Sequence, residues 1–140
     1  MNSRIVMRWD HIELLVPDRA AALAWYREWF DFVPIPQPDE WAKNGPIMVS
    51  PDGGDTKLAL FTGEPQAAAE ERGWRRVAFR VTAGEFAAFA RRYRASGQTL
   101  QGPVDHQTAW SVYLSDPWGN ALEVTTYDYA AGALTVSELS

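Results

Sequence analysis

The sequence predicts an α+β fold made of two tandem βαβββ modules. Three observations carry that prediction. Residues 9–16 (WDHIELLV) resemble residues 74–81 (WRRVAFRV) at an offset of 65, and self-similarity at a fixed period marks a repeated structural unit. Each copy reads as a short strand rich in β-branched and aromatic residues. Each is followed by a helix signal at the same offset, then by short strands separated by turn residues.

In the first module the helix starts at Asp18, directly after Pro17. A carboxylate there accepts from the unpaired N–H groups of the first turn. Leu23, Tyr26 and Phe30 recur at i, i+3 and i+7, one helical face. Strands follow at 32–35, 47–50 and 56–61, with Pro51, Asp52, Gly53 and Gly54 as the turn before the last. In the second module the helix starts at Thr82, and Glu85 completes a capping box. Phe86, Phe89 and Tyr93 repeat the helical spacing, and Gly97 ends the helix. Strands follow at 99–102, 109–114 and 121–127. The turn between the last two is residues 115–120 (SDPWGN), where Pro117 presets one dihedral and Gly119 or Asn120 takes the left-handed position. The modules span about 8–63 and 74–128, joined by a linker near 64–73. The tail, 130–140, has small residues and no clear period, which leaves disorder or packing on a partner open.

At 140 residues the chain is expected to be a single domain with a core that needs no disulfide or metal staple. Hydrophobic residues at 46% and charged residues at 22% exclude wholesale disorder. A net charge of −5 disfavours sequence-independent nucleic-acid binding. The absence of cysteine excludes disulfide scaffolds, thiolate metal sites and thiol nucleophiles. There is no apolar run of 18 residues and no secretory pattern at the N-terminus, so the expected location is the cytoplasm, with no membrane partner. Seven tryptophans favour a small-molecule pocket. Trp9, Trp41, Trp74, Trp110 and Trp118 are candidates for its mouth, and the aromatic and proline content of 36–46 marks a candidate lid.

Strands alternate their faces. Ile12, Leu14 and Val16 share one face, and Val77, Phe79 and Val81 share the matching one. These apolar sets are expected to pack on the helices. The opposite faces then collect His11, Glu13, Arg76, Arg80 and Glu123. Ala59 occupies the first-module position that Glu123 takes in the second. Such a polar face is either one wet side of an antiparallel sheet or the lining of a cup for a ligand.

The two βαβββ modules resemble the vicinal oxygen chelate superfamily: glyoxalase I, extradiol dioxygenases, fosfomycin-resistance enzymes and bleomycin-resistance proteins. The residues that carry the resemblance are Asp10, His11, Ile12 and Glu13, then 76–81 (RVAFRV), and above all 111–123 (SVYLSDPWGNALE). The resemblance implies a curved mixed sheet around an open cup, with helices outside, and a homodimer. In metal-using members it implies one divalent ion (Fe, Mn, Ni or Zn) in the cup, for which His11 and Glu123 match two ligands. The third position, commonly histidine, is Arg76 here. A guanidinium has no lone pair to offer. At ~4 Å and an effective dielectric of ~20, its charge costs a dication about 8 kcal/mol. The sequence therefore argues for no cofactor and a degraded metal site, unless His106 or Glu13 supplies another ligand. By the same resemblance, His106, in the loop 102–107, is a candidate acid or base and Tyr113 a catalytic tyrosine beside Glu123.

Three functional readings follow. The first is a protein binding a small molecule in the cup, which the resemblance extends to a metal-free resistance protein that sequesters a drug without chemistry, with His11, Glu13, Arg76, Arg80, Trp110 and Glu123 as ligand-binding residues. Arg76 there either pairs with Glu123 or recognises an anion by bidentate hydrogen bonds. The second is a metal-dependent lyase or dioxygenase using His11 and Glu123. The third is a structural or regulatory dimer with a vestigial cup.

Overall fold

Each module opens on a strand that pairs in parallel with the last strand of its own repeat. The computed structural model describes residues 8–65 and 75–139. The chain divides into two compact units, Met1–Pro65 and Gln66–Ser140, which correspond to the two modules. Trp74 and most of the linker lie outside the described residues.

In the first module, β1 (His11–Val16) lies beside β4 (Lys57–Thr62), followed by β3 (Ile47–Ser50) and β2 (Val33–Pro34), in the order β1-β4-β3-β2. Only β2 falls short of its expected length, because Pro34 has no N–H to continue a ladder. Helix α1 (Arg19–Phe30) begins where the Asp18 carboxylate accepts from the N–H groups of Ala20 and Ala21, at 3.0 and 3.1 Å. It ends at Asp31 in the left-handed region. Tyr26 is fully buried and stacks on Phe32, with the rings 6.3 Å apart. Val16, Val49, Leu58 and Leu60 complete this core.

Side-chain hydrogen bonds from Arg19 and Gln37 hold the segment 36–46. It contains a one-turn helix, α2 (Trp41–Asn44). The Arg19 guanidinium donates to the carbonyls of Trp41, Ala42 and Gly45, satisfying the unpaired end of that helix. Gln37 donates to the Pro46 carbonyl at 2.9 Å and accepts from the Met48 N–H at 3.0 Å.

The second module repeats the plan: β5 (Val77–Arg80), α3 (Ala83–Ala95), β6 (Gln101–Asp105), β7 (Trp110–Ser115) and β8 (Ala121–Thr126), in the order β5-β8-β7-β6. The Thr82–Glu85 capping box forms in both directions. Phe86, Ala87, Ala90 and Tyr93 of α3 are buried, as are Val112, Leu114, Leu122 and Val124 on the sheet. Strand β6 begins later than the sequence places it, with a register shift between Gln101 and Val104. Pro103 stands in that interval and has no N–H to donate.

The tail is a helix, α4 (Tyr129–Ser137), packed within its own module. The Trp110 ring stacks on Tyr129 at 5.5 Å and 11°, and its indole N–H donates to the Tyr129 carbonyl at 3.1 Å. The Tyr129 hydroxyl donates to the Asp105 carboxylate (2.8 and 2.9 Å). Arg94 of α3 donates to the carbonyls of Leu139 and Gly102. No helical period is legible here because the fully covered position is Gly132, which lies against Trp110.

Candidate functional site

The registers of the second sheet set four residues in a line across it. Ala78 on β5 faces Glu123 on β8, Glu123 faces Tyr113 on β7, and Tyr113 faces Gln101 on β6. Directly paired positions project to the same side. The intervening residues Val112, Leu114, Leu122 and Val124 turn the other way and fill the core. The polar side opens onto a cavity of about 540 Å³, lined by Arg75, Arg76, Gln101, Val104, Tyr113 and Glu123. That volume is in the range of small-molecule sites.

Within the cavity, the Arg76 guanidinium lies over the Tyr113 ring, 4.5 Å from its centroid. A cation over an aromatic face is attracted to the ring's negative quadrupole. The Tyr113 hydroxyl hydrogen-bonds His106 Nε2 at 2.7 Å. His106 stands at the end of β6, where its backbone N–H donates to the Ala109 carbonyl at 2.9 Å. Arg76 and Glu123 form no ion pair within 4.0 Å among the described residues, so the expected Arg76–Glu123 contact is replaced by one to Tyr113.

The equivalent line in the first sheet is Glu13, Ala59 and Met48. The carboxylate stands on the opening strand there and on the closing strand in the second module. His11, two residues before Glu13, corresponds to Arg76, two before Ala78. Its Nδ1 lies 2.7 Å from Asp10 Oδ2 and its Nε2 lies 3.1 Å from Glu13 Oε2. These hydrogen bonds, Asp10's first and Glu13's second, hold the imidazole above its ordinary value. Lys57 donates to Asp10 Oδ1 at 3.0 Å. The His11 and Lys57 contacts hold Asp10 below the usual carboxylate range.

The residues singled out from sequence therefore divide. Arg76, Tyr113 and Glu123 share one cavity, with His106 bound to its tyrosine. His11 and Glu13 form the ion-paired group of the first module. Arg80 lies over Tyr127, 4.9 Å from the ring centroid. Trp110 is engaged by α4, and the cavity lining includes none of Trp9, Trp41, Trp110 and Trp118. The sequence reading missed Arg75, Gln101 and Val104. Gln101 lies within the expected strand 99–102, but its pairing with Tyr113 depends on a cross-strand register that the sequence leaves open.

Neither module on its own assembles the donors of the divalent-metal site that the resemblance implies. Among the described residues there is no group of three or more His, Asp or Glu side chains placed to hold an ion. In the second module, Glu123 shares its cavity with two guanidinium groups. In the first, both ring nitrogens of His11 are engaged by carboxylates.

Solved structures share this fold. A glyoxalase family protein from Bacillus anthracis is 21% identical with a TM-score of 0.72, covering 90% of this chain and 99% of that one. A glyoxalase/dioxygenase from Nostoc punctiforme is 23% identical with a TM-score of 0.69, covering 91% and 98%. The fosfomycin resistance protein FosX from Listeria monocytogenes, complexed with Mn(II) and sulfate, is 18% identical with a TM-score of 0.66, covering 87% and 93%. No curated protein matches the sequence. The family model for the Glyoxalase/Bleomycin resistance protein/Dioxygenase superfamily matches residues 8–124. That match covers most of the chain and agrees with its duplicated βαβββ plan, and the chain belongs to that superfamily.

Proposed function

We propose that the chain binds a small organic molecule in the cavity of its second module, without a resident metal ion. The observation that carries this reading is Arg76, whose guanidinium lies over Tyr113 in the cavity that also takes Glu123. A fixed cation there favours an organic ligand over a dication. The Listeria FosX structure holds Mn(II); in the present chain the Arg76 cation opposes such an ion in this cavity.

The 2.7 Å hydrogen bond between Tyr113 and His106 favours a second reading, acid–base chemistry on the bound molecule. Tyr113 lines the cavity while His106 does not. A proton leaving the ligand would pass to the Tyr113 hydroxyl as that hydroxyl passes its own to His106. A cytoplasmic homodimer completes the proposal, and light scattering tests the dimer.

The binding reading is tested by titrating a library of small fragments, neutral and charged, into the ¹⁵N-labelled chain. Amide shifts centred on Arg76, Gln101, Tyr113 and Glu123 are expected, and Arg76→Ala should weaken them. A library that moves none of these amides contradicts the reading.

A further inference from the structure

We infer that the ligand of this cavity is a small zwitterion, its anionic end held by Arg75 and Arg76 and its protonated amine by Glu123. The inference rests on the small-molecule reading above and names the ligand class. Its basis is that charges of both signs line one cavity and are not spent on each other. Arg76 and Glu123 make no ion pair within 4.0 Å. Among the described residues, the side-chain contact of Arg76 is the Tyr113 ring, and the side chains of Arg75 and Glu123 have no hydrogen-bond or ion-pair partner.

The first module shows what this chain does with charges at the same place in the fold when they serve one another. His11 is engaged by Asp10 and Glu13, and Lys57 by Asp10. The second module has the means to do likewise and does not. Arg76 and Glu123 are half-buried, and withdrawing charges from water without pairing them is costly. A ligand with one opposite charge leaves the second protein charge desolvated and unpaired on binding. A ligand carrying both satisfies both.

The geometry of Arg76 suits the anionic end. Its guanidinium carbon lies 4.5 Å from the Tyr113 ring centroid, and no hydrogen bond or ion pair among the described residues uses its N–H fork, which matches a carboxylate. Glu123 accepts only, which suits an ammonium group. Val104 and the Tyr113 ring offer apolar surface for the body of the ligand between these ends.

The test uses the full chain, ¹⁵N-labelled, titrated with each of the twenty protein amino acids. The tightest binder is then compared with its decarboxylated amine and its deaminated acid. The amino acid is expected to bind about ten-fold or more tighter than either analogue, with shifts at Tyr113 and Glu123. Arg76→Gln should lower its affinity to that of the amine, and Glu123→Gln to that of the acid. The analogue comparison on the unaltered chain stands even if a variant fails to fold. The inference is overturned if no amino acid moves the cavity amides, or if the amine or the acid binds as well as the amino acid. Neutral fragments that move those amides while no amino acid does would overturn this inference and leave the small-molecule reading intact. Silence from both removes both.

Discussion

His11 and Arg76 hold corresponding places in the two modules, and their surroundings give them different roles. Hydrogen bonds from Asp10 and Glu13 favour the charged imidazole of His11. Its contribution to stability is fully present below the ordinary histidine value. It fades as pH rises through the raised one. The chain has only two histidines, so their ring protons are simple to follow by NMR. His11 should titrate above the free-histidine midpoint, and Asp10→Asn should bring it down; a midpoint at the free value would refute the hydrogen-bond account. Asp52 supplies a second titration. It accepts from the backbone N–H of Thr56 and from the hydroxyls of Ser50 and Thr56, which lower it to about 2. Its contribution is present above the usual carboxylate range and is lost as pH falls toward about 2. Asp52→Asn should therefore flatten the acid limb of the stability curve, and an unchanged limb would show the turn to be indifferent to that charge. At this scale strand alternation and the duplicated pattern singled out Arg76 and Glu123, and the family resemblance singled out Tyr113, which share one cavity. The sequence did not reveal Lys57 beside Asp10, because which residues meet across strands depends on a register that alternation leaves open.

Elements whose ends carry capping chemistry were legible, and those held by tertiary contacts were not. Asp18, Thr82 and Glu85 announce α1 and α3 by residue type and spacing alone. Thr82→Ala should cost about 1 kcal/mol in denaturant unfolding, the usual loss for such a cap. Helix α4 has no such announcement, since what holds it is the stack of Trp110 on Tyr129 and the fit of Gly132 beneath the indole. A Cβ at Gly132 would lie 2.7 Å from Trp110 Cδ1. The indole has little freedom to yield, being stacked and hydrogen-bonded to the Tyr129 carbonyl. Gly132→Ala should therefore destabilise the module by about 1–3 kcal/mol, despite alanine's better helix propensity. A neutral or stabilising effect would mean that α4 is not docked as described. The segment 36–46 teaches the same lesson, because its prolines and tryptophan are visible in sequence while the Arg19 anchor, 22 residues from Trp41, is not.

For the whole molecule, duplication explains both the resemblance and the divergence of the modules. The same βαβββ plan places a carboxylate–alanine pair across the parallel strands in each. It stands as Glu13 opposite Ala59 in one and Ala78 opposite Glu123 in the other. Membership of the superfamily follows from the plan and the family match, whereas chemistry resides in the residues grafted onto it. That is why the fold was readable from a repeat and two turn signals, while the ligand depends on which charges remain unpaired in one cavity. We propose that Arg76 and Glu123 serve an organic ligand in place of a metal. The most direct test is the metal content of the purified chain, measured by mass spectrometry after incubation with iron, manganese, nickel and zinc and removal of the excess. No stoichiometric metal is expected. One tightly held ion per chain would contradict the proposal.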